Sequence, residues 1–245
     1  MKKIFVFVGS QAGCNSKTLY FVKNILNRIL KKTNEKVIYE IITPQSFKIN
    51  SCKSCNVCFN TGNCEQDKLD SMSEIKKKMI ESDLIIFCSP VYAHNVSGDT
   101  KIFIDRISYW AHLMRLAGKY GAIISISNSN GNAYVNEYLY KIMTFLGLKI
   151  IGNLGVTLIS NEKDVYSELE KFSQIISDYL MSKERIQSDK LLNSCFISLK
   201  NQIEMQKEFR GNEYMYWLEN KYFECNNFSD VLNNIYNNNT TSQLI

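Results

Sequence analysis

Five times within residues 1–180 a short apolar run is followed by an amphipathic stretch, and this alternation restricts the chain more than any other feature. Ile4 to Val8, Val37 to Ile42, Leu84 to Cys88, Gly121 to Ser127 and Lys149 to Ile159 have the length and composition of strands. Apolar residues then recur at helical spacing: Leu19, Val22, Ile25, Leu26, Ile29 and Leu30 after the first run, and Met72, Ile75, Met79 and Ile80 before the third. Further helices are expected over Gly98 to Leu116, Tyr134 to Leu146 with Gly147 as its cap, and Val165 to Leu180. Consecutive β-then-α units require right-handed parallel crossovers. The expected fold is therefore α/β, a doubly wound five-stranded parallel sheet in the order 2-1-3-4-5 with helices on both faces. Ser89-Pro90 is expected to end the third strand, because proline cannot continue a central ladder.

This pattern fills residues 1–188, and residues 189–245 read as an extension without βαβ spacing. The extension is aromatic-rich, and Tyr214, Trp217, Leu218 and Tyr222 fall on one face of a possible helix. A net charge of +5 is modest, and the Lys31-Lys32 and Lys76-Lys77-Lys78 runs read as solvated helix faces. No basic stretch is interleaved with aromatics, so nucleic acid is not an expected partner. No window approaches the roughly 20 apolar residues of a membrane span. The apolar run Ile4 to Val8 is shorter than the roughly 7 to 15 residues of a signal peptide's core, and a cytoplasmic location is expected. In such a reducing compartment the eight cysteines are thiols or metal ligands rather than disulfides.

Ligands of open α/β sheets sit at the carboxyl ends of the strands where the strand order reverses, so the loops after strands one and three should frame a site. The first of them is Gly9-Ser10-Gln11-Ala12-Gly13-Cys14-Asn15-Ser16-Lys17-Thr18. It offers hydroxyls, a flexible backbone and the positive end of a helix, the makings of a phosphate cradle. A Walker A loop is excluded, because its second glycine would fall at Cys14 and Lys17 is displaced, and the dinucleotide GxGxxG pattern is absent. Hydroxyls without a metal suit a terminal monophosphate. The alternative is that Asn15, Ser16 and Thr18 only cap the first helix.

Cys52, Cys55, Cys58 and Cys64 form C-x2-C-x2-C-x5-C within a loop spanning residues 50–66. Four thiolates in one short loop can wrap a compact cube, as in the bacterial ferredoxin run that holds a [4Fe-4S] cluster. Structural zinc sites more often separate two cysteine pairs by a dozen or more residues, so zinc ranks second, beside cluster-free thiols. Cys88 closes a buried strand, Cys14 reads as a spectator, and Cys195 and Cys225 lack metal spacing.

Gly9 to Thr18, Cys52 to Cys64, and Ser89-Pro90-Val91-Tyr92 running on to Lys101 and Asp105-Arg106 together resemble the NADPH-dependent FMN reductase and iron-sulfur flavoprotein group of the flavodoxin-like fold. The resemblance covers roughly residues 1–160. It implies FMN as cofactor, its phosphate held by Ser10, Asn15, Ser16 and Thr18 with Gln11 nearby. It places Pro90, Val91, Tyr92, Ala93, His94 and Asn95 along the isoalloxazine, and Ser127, Asn128 and Gly131 at its far edge. It also implies a [4Fe-4S] cluster on the four cysteines, although Asp67 and Asp70 stand apart where an Asp-Asp-Met sequence is common. Judged from the residues alone, the Asn128 loop is equally a polar turn capping a helix, Tyr92 a packed tyrosine and His94 a solvent-facing loop residue.

No nucleophile, general base or catalytic triad stands out, as expected where a flavin carries the chemistry. The implied activity passes electrons from a donor such as ferredoxin through the cluster and FMN to a small-molecule acceptor. Two alternatives remain: a cluster-free NAD(P)H-dependent FMN or quinone reductase, and a noncatalytic electron carrier or zinc-stabilised binding module. A homo-oligomer is expected, with Tyr214, Tyr216, Trp217, Tyr222 and Phe223 either in an interface or packed on their own domain.

Overall fold

Strands β1 (Lys2–Val8), β2 (Val37–Ile42), β3 (Leu84–Tyr92), β4 (Asn95–Val96), β5 (Tyr120–Ser127) and β6 (Lys149–Thr157) form the sheet in the computed structural model. It describes residues 1–209 and 211–241, the side chains of 238–241 excepted. Five strands run parallel in the order β2-β1-β3-β5-β6, and the two-residue β4 pairs antiparallel with the end of β3. The doubly wound order expected from the sequence is present, with β4 as an addition. Central β1 and β3 are buried on both faces, which is why their apolar runs are continuous.

Alternate residues of these strands feed two cores. Phe5, Phe7, Ile85, Phe87 and Ile123 face one side, under α3 (Met72–Glu81), α4 (Gly98–Arg106), the one-turn α5 (Tyr109–His112) and α6 (Asn132–Phe145). Ile4, Val6, Val8, Ile86, Cys88, Ile124 and Ile126 face the other, under α1 (Lys17–Lys32) and α7 (Glu162–Met181). A short α2 (Val57–Thr61) lies inside the cysteine loop. Helices α8 (Lys190–Glu204), α9 (Asn212–Glu219) and α10 (Phe228–Thr241) enclose a third apolar cluster that closes on Met114 and packs against Ala117, Tyr120 and Phe145. The extension is thus built onto the α/β unit; residues 210 and 242–245 of it lie outside the described residues.

Four boundaries differ from expectation. Strand β3 runs past Pro90 to Tyr92, because Pro90 occupies the last rung beside Ile126 and beyond it the strand pairs with its own hairpin. The helix expected over Gly98 to Leu116 breaks after Arg106, whose side chain turns into a buried ion network, and Met114 takes φ +43 to reach the third cluster. Strand β6 stops at Thr157, two residues short of the expected Ile159. On α9, Tyr214 and Trp217 are buried but Leu218 is exposed, and Tyr222 sits in a following 3-10 turn. Gly147 does lie just past α6, at φ +89, with its amide donating to the Thr144 carbonyl. Among the described residues no helix is long and apolar enough to cross a membrane.

Phe103 of α4 ties the site-bearing strands together: its ring stacks on Phe7 at 4.0 Å and meets Phe87 edge-on at 5.2 Å, with no exposure. Phe103→Ala should cost about 3 to 5 kcal/mol, read as a lowered midpoint of urea unfolding with an unchanged slope.

Candidate functional site

The carboxyl ends of β1, β3 and β5 lie on one side of the parallel sheet, and the loops leaving them interlock. After β1 a 3-10 turn (Gly13–Asn15) leads into α1, whose N-cap Ser16 accepts a hydrogen bond from the Leu19 amide at 3.1 Å. The helix-cap reading therefore holds for Ser16. Its hydroxyl also donates to Ser10 Oγ at 2.9 Å, so the two buried hydroxyls form a pair at the mouth of α1. The first-turn amides of Lys17 and Thr18 have no partner inside the helix. Thr18 is buried and Asn15 exposed, while Gln11 Nε2 is tethered to Asp99 at 2.8 Å and Gln45 Nε2 donates to the Gln11 carbonyl at 2.8 Å.

Beneath this loop lies a knot of three buried hydroxyls. Ser97, the N-cap of α4, donates to the Gly9 carbonyl at 2.5 Å, Thr100 Oγ1 lies 2.9 Å from Ser97 Oγ, and Ser89 Oγ accepts from Thr100 at 3.2 Å and from the Ser97 amide at 3.0 Å. Glycine is required above it, since a Cβ at Gly9 would stand 1.9 Å from Thr100 Oγ1. The loop after β3 is a two-residue hairpin. Ala93 and His94 take φ of +48 and +59, the backbone of a type I′ turn, and Tyr92 pairs with Asn95. Pro90 is buried, Val91 half-buried, and Tyr92, Ala93, His94 and Asn95 are exposed, which removes the packed-tyrosine reading.

The β5 loop meets that hairpin. His94 Nε2 lies 2.9 Å from Asn130 Oδ1, and its ring stacks on Tyr134 at 5.3 Å. Gly131, at φ +92, lets the loops close; a Cβ there would stand 2.7 Å from Val91 and 2.9 Å from His94. Ser127 turns its hydroxyl onto Asn132 Oδ1, whose amide donates to the Ser125 carbonyl and hydroxyl at 2.9 Å. Asn128 is exposed at the tip.

In the cysteine loop the backbone turns left-handed at Ser54 (φ +53), Asn56 (φ +57) and Gly62 (φ +75), one turn in or beside each gap between successive cysteines. Cys52 and Cys55 are exposed, and Cys58 and Cys64 half-buried. Burial first, then the neighbouring Cys64 and Cys52, push the Cys58 thiol up. Both ends of the loop converge on fully buried Arg106. The guanidinium donates to the Asn50 carbonyl at 2.8 Å, to Asp67 at 2.7 Å and to Asp70. Lys76, expected on a solvated helix face, is buried instead and joins through Asp67 at 2.6 Å and the Tyr109 hydroxyl at 3.2 Å. Burial works against the Asp70 carboxylate, but hydrogen bonds from Arg106 and from the Asn50 and Met72 amides hold it below its ordinary value. The separated Asp67 and Asp70 thus share one arginine.

The structure brings Ser10 and Ser16 together, and Pro90 to Asn95 with Gly131. Sequence reasoning missed Ser89, Ser97, Thr100 and Asn132, which no spacing marks as partners. Ser97 ahead of the α4 periodicity was a readable cap signal. A recess of 670 Å³ between α6 and α8, walled by Tyr140, Phe145 and Leu191, is lined by none of the loop residues above.

A sequence model for the family described as NADPH-dependent FMN reductase matches residues 2–162. An iron-sulfur flavoprotein of Archaeoglobus fulgidus is 33% identical over 183 residues, 71% of this chain and 80% of the relative. One from Methanocaldococcus jannaschii is 29% identical over 138 residues, covering 56% and 69%. In fold the chain is similar to an NADH:FMN oxidoreductase, with a TM-score of 0.54 at 20% identity over 75% of this chain and 92% of the other.

Asp70→Asn should destabilise by about 3 to 5 kcal/mol at neutral pH, because it strips a buried guanidinium of its main counter-charge. Asp70 has a depressed folded-state pKa, so its contribution is complete above the unfolded value of about 3.9 and is lost as pH falls through the folded value. Urea unfolding from pH 7 down to 3 should therefore show a wild-type advantage over Asp70→Asn that shrinks below about pH 4.

Proposed function

This chain belongs to the NADPH-dependent FMN reductase family, and from that premise we propose that it passes electrons from an external donor through a [4Fe-4S] cluster and FMN to a small-molecule acceptor. It is a flavin-dependent oxidoreductase of flavodoxin-like fold. The observation that carries the cofactor assignment is the paired hydroxyls of Ser10 and Ser16 at the mouth of α1, beside amides without intrahelical partners. That chemistry fits a terminal phosphate monoester, and Ser10, Ser16 and the first-turn amides of α1 would hold it. The Pro90 to Asn95 hairpin would lie along the ring and Gly131 at its edge. When bound, FMN supplies two-electron acceptance with release of single electrons, and a cluster supplies one-electron transfer.

The protein's own part is to bind and orient. His94 is engaged by Asn130 and Tyr134, so the hairpin offers a fixed edge rather than a free acid or base. For the cluster, the support is a donor set of four thiols in one turning loop, together with the names of the relatives. Cys52, Cys55, Cys58 and Cys64 would ligate it. A second reading, the cluster-free NAD(P)H-dependent reductase, starts from the open spacing of the thiols. Among the described residues no three His, Cys, Asp or Glu side chains converge closely enough to hold a metal ion. Ferredoxin as donor and assembly into a homo-oligomer stay part of the proposal. The buried Tyr214, Trp217 and Tyr222 serve the chain's own core, so an interface would need other surfaces.

Protein prepared anaerobically with iron and sulfide should release FMN on denaturation and carry about four irons per chain. Cys55→Ala should lose the iron and keep the flavin, whereas stoichiometric zinc, or no metal, would select the second reading or a structural site. Ser10→Ala, which leaves the α1 cap in place, should weaken FMN binding about tenfold in a fluorescence titration. Unchanged affinity would remove the phosphate from this loop.

A further inference from the structure

The cysteine loop is gripped by Arg106 at its two ends, yet its middle, α2, has little of its own to hold it. A five-residue helix is too short to be stable alone, and α2 has no side-chain cap at Asn56 and ends at left-handed Gly62. What meets it is α5 and, behind α5 and over Gly62, the C-terminal extension. The Phe59 ring, next to Cys58, lies 5.3 Å from the His112 ring and 6.4 Å from Tyr109. His112 Nδ1 is 2.6 Å from Glu213 Oε1 on α9, and the second oxygen of this buried carboxylate accepts from Gln206 at 3.3 Å. Fully buried Trp217 donates its indole N–H to the His112 carbonyl at 2.8 Å. Asn212 seats its side chain over Gly62, where a Cβ would stand 2.7 Å from Asn212 Oδ1.

We infer that the extension clamps the cysteine loop, with Glu213 and His112 as positioning residues that fix Phe59 and through it Cys58. The clamp divides the four thiols. Cys58 on α2 and Cys64 just after it are half-buried, while Cys52 and Cys55 are exposed. A buried carboxylate bonded at both oxygens suits such a role, because it holds a direction and not merely a volume. The significance for a cluster rests on the function proposed above; the clamp itself does not.

Alkylation of the metal-free protein with iodoacetamide, followed thiol by thiol by mass spectrometry, tests it. Glu213→Ala and His112→Gln should each speed modification of Cys58 about tenfold, leaving Cys55 and buried Cys88 unchanged, while Glu213→Gln stays near the wild-type rate. Where Glu213→Ala fails to fold, His112→Gln carries the test. Iron-reconstituted Glu213→Ala should also show an altered electron paramagnetic resonance signature of the reduced cluster with its FMN content intact. An unchanged Cys58 rate in both variants overturns the clamp, as does equal acceleration of Cys55 and Cys88, which would report general loosening. If the wild-type protein takes up no iron, the proposed electron route fails while the alkylation rates still decide the clamp.

Discussion

A single buried guanidinium organises the chemistry-bearing end of this molecule. The Arg106 side chain has no exposed surface, and burying a charge is tolerable only where partners replace its water. Asp67, Asp70 and the Asn50 carbonyl are those partners, and they come from both ends of the cysteine loop. Burial opposes the charged form, yet the two carboxylates keep Arg106 protonated far above any accessible pH. Arg106 is also the last residue of α4, and the N-cap of the same helix, Ser97, holds the Gly9 carbonyl of the loop after β1. Nine residues of helix at about 1.5 Å each therefore set a separation of roughly 13 Å between the hydroxyl knot and the ion network. One rigid element spaces the two sites.

The two ends of α4 use opposite chemistry. At the C-terminal end charges are neutralised in a closed network; at the N-terminal end neutral hydroxyls bond to one another and to backbone. The second arrangement is uncharged and closed on itself. Ser89, Ser97 and Thr100 satisfy themselves, and the close contact at Gly9 fixes the height of the β1 loop above them. Ser10 and Ser16 are then presented at a set position beside the positive end of α1.

The architecture was legible because periodicity reports burial, and burial in a doubly wound sheet follows a simple rule: central strands are apolar on both faces. The boundaries were less so, and each miss has a tertiary cause. Pro90 continues a strand because it occupies the last rung of the ladder with β5, and the helix after Gly98 breaks because Arg106 must turn inward to meet aspartates 36 and 39 positions away in sequence. The same limit applies to the site. Loops at strand ends could be picked out and their hydroxyls and thiols counted, but the partners that brace them, Ser97 under Gly9 and Glu213 behind His112, sit 88 and 101 positions away, separations that no local pattern encodes. Tyr214, Trp217 and Tyr222 could be recognised as packing residues without any indication of what they pack against.

The hairpin after β3 shows how it and the β5 loop depend on each other. Type I′ turns favour Asn-Gly, because both central residues need positive φ, and non-glycine residues there cost about 1 kcal/mol or more each. Here the positions are Ala93 and His94. Strain of this kind persists only where surroundings over-determine it. The surroundings in question are the β5 loop: Asn130 bonds the imidazole, Tyr134 stacks on it, and Gly131 leaves room that any side chain would fill. The hairpin is thus fixed from outside by a loop of another strand, and that loop is fixed in turn by Asn132 bridging Ser125, Ser127 and Thr157 across β5 and β6. A surface assembled in this way has little freedom to rearrange, so the ring proposed to lie along Pro90 to Asn95 would meet a surface already set by the protein.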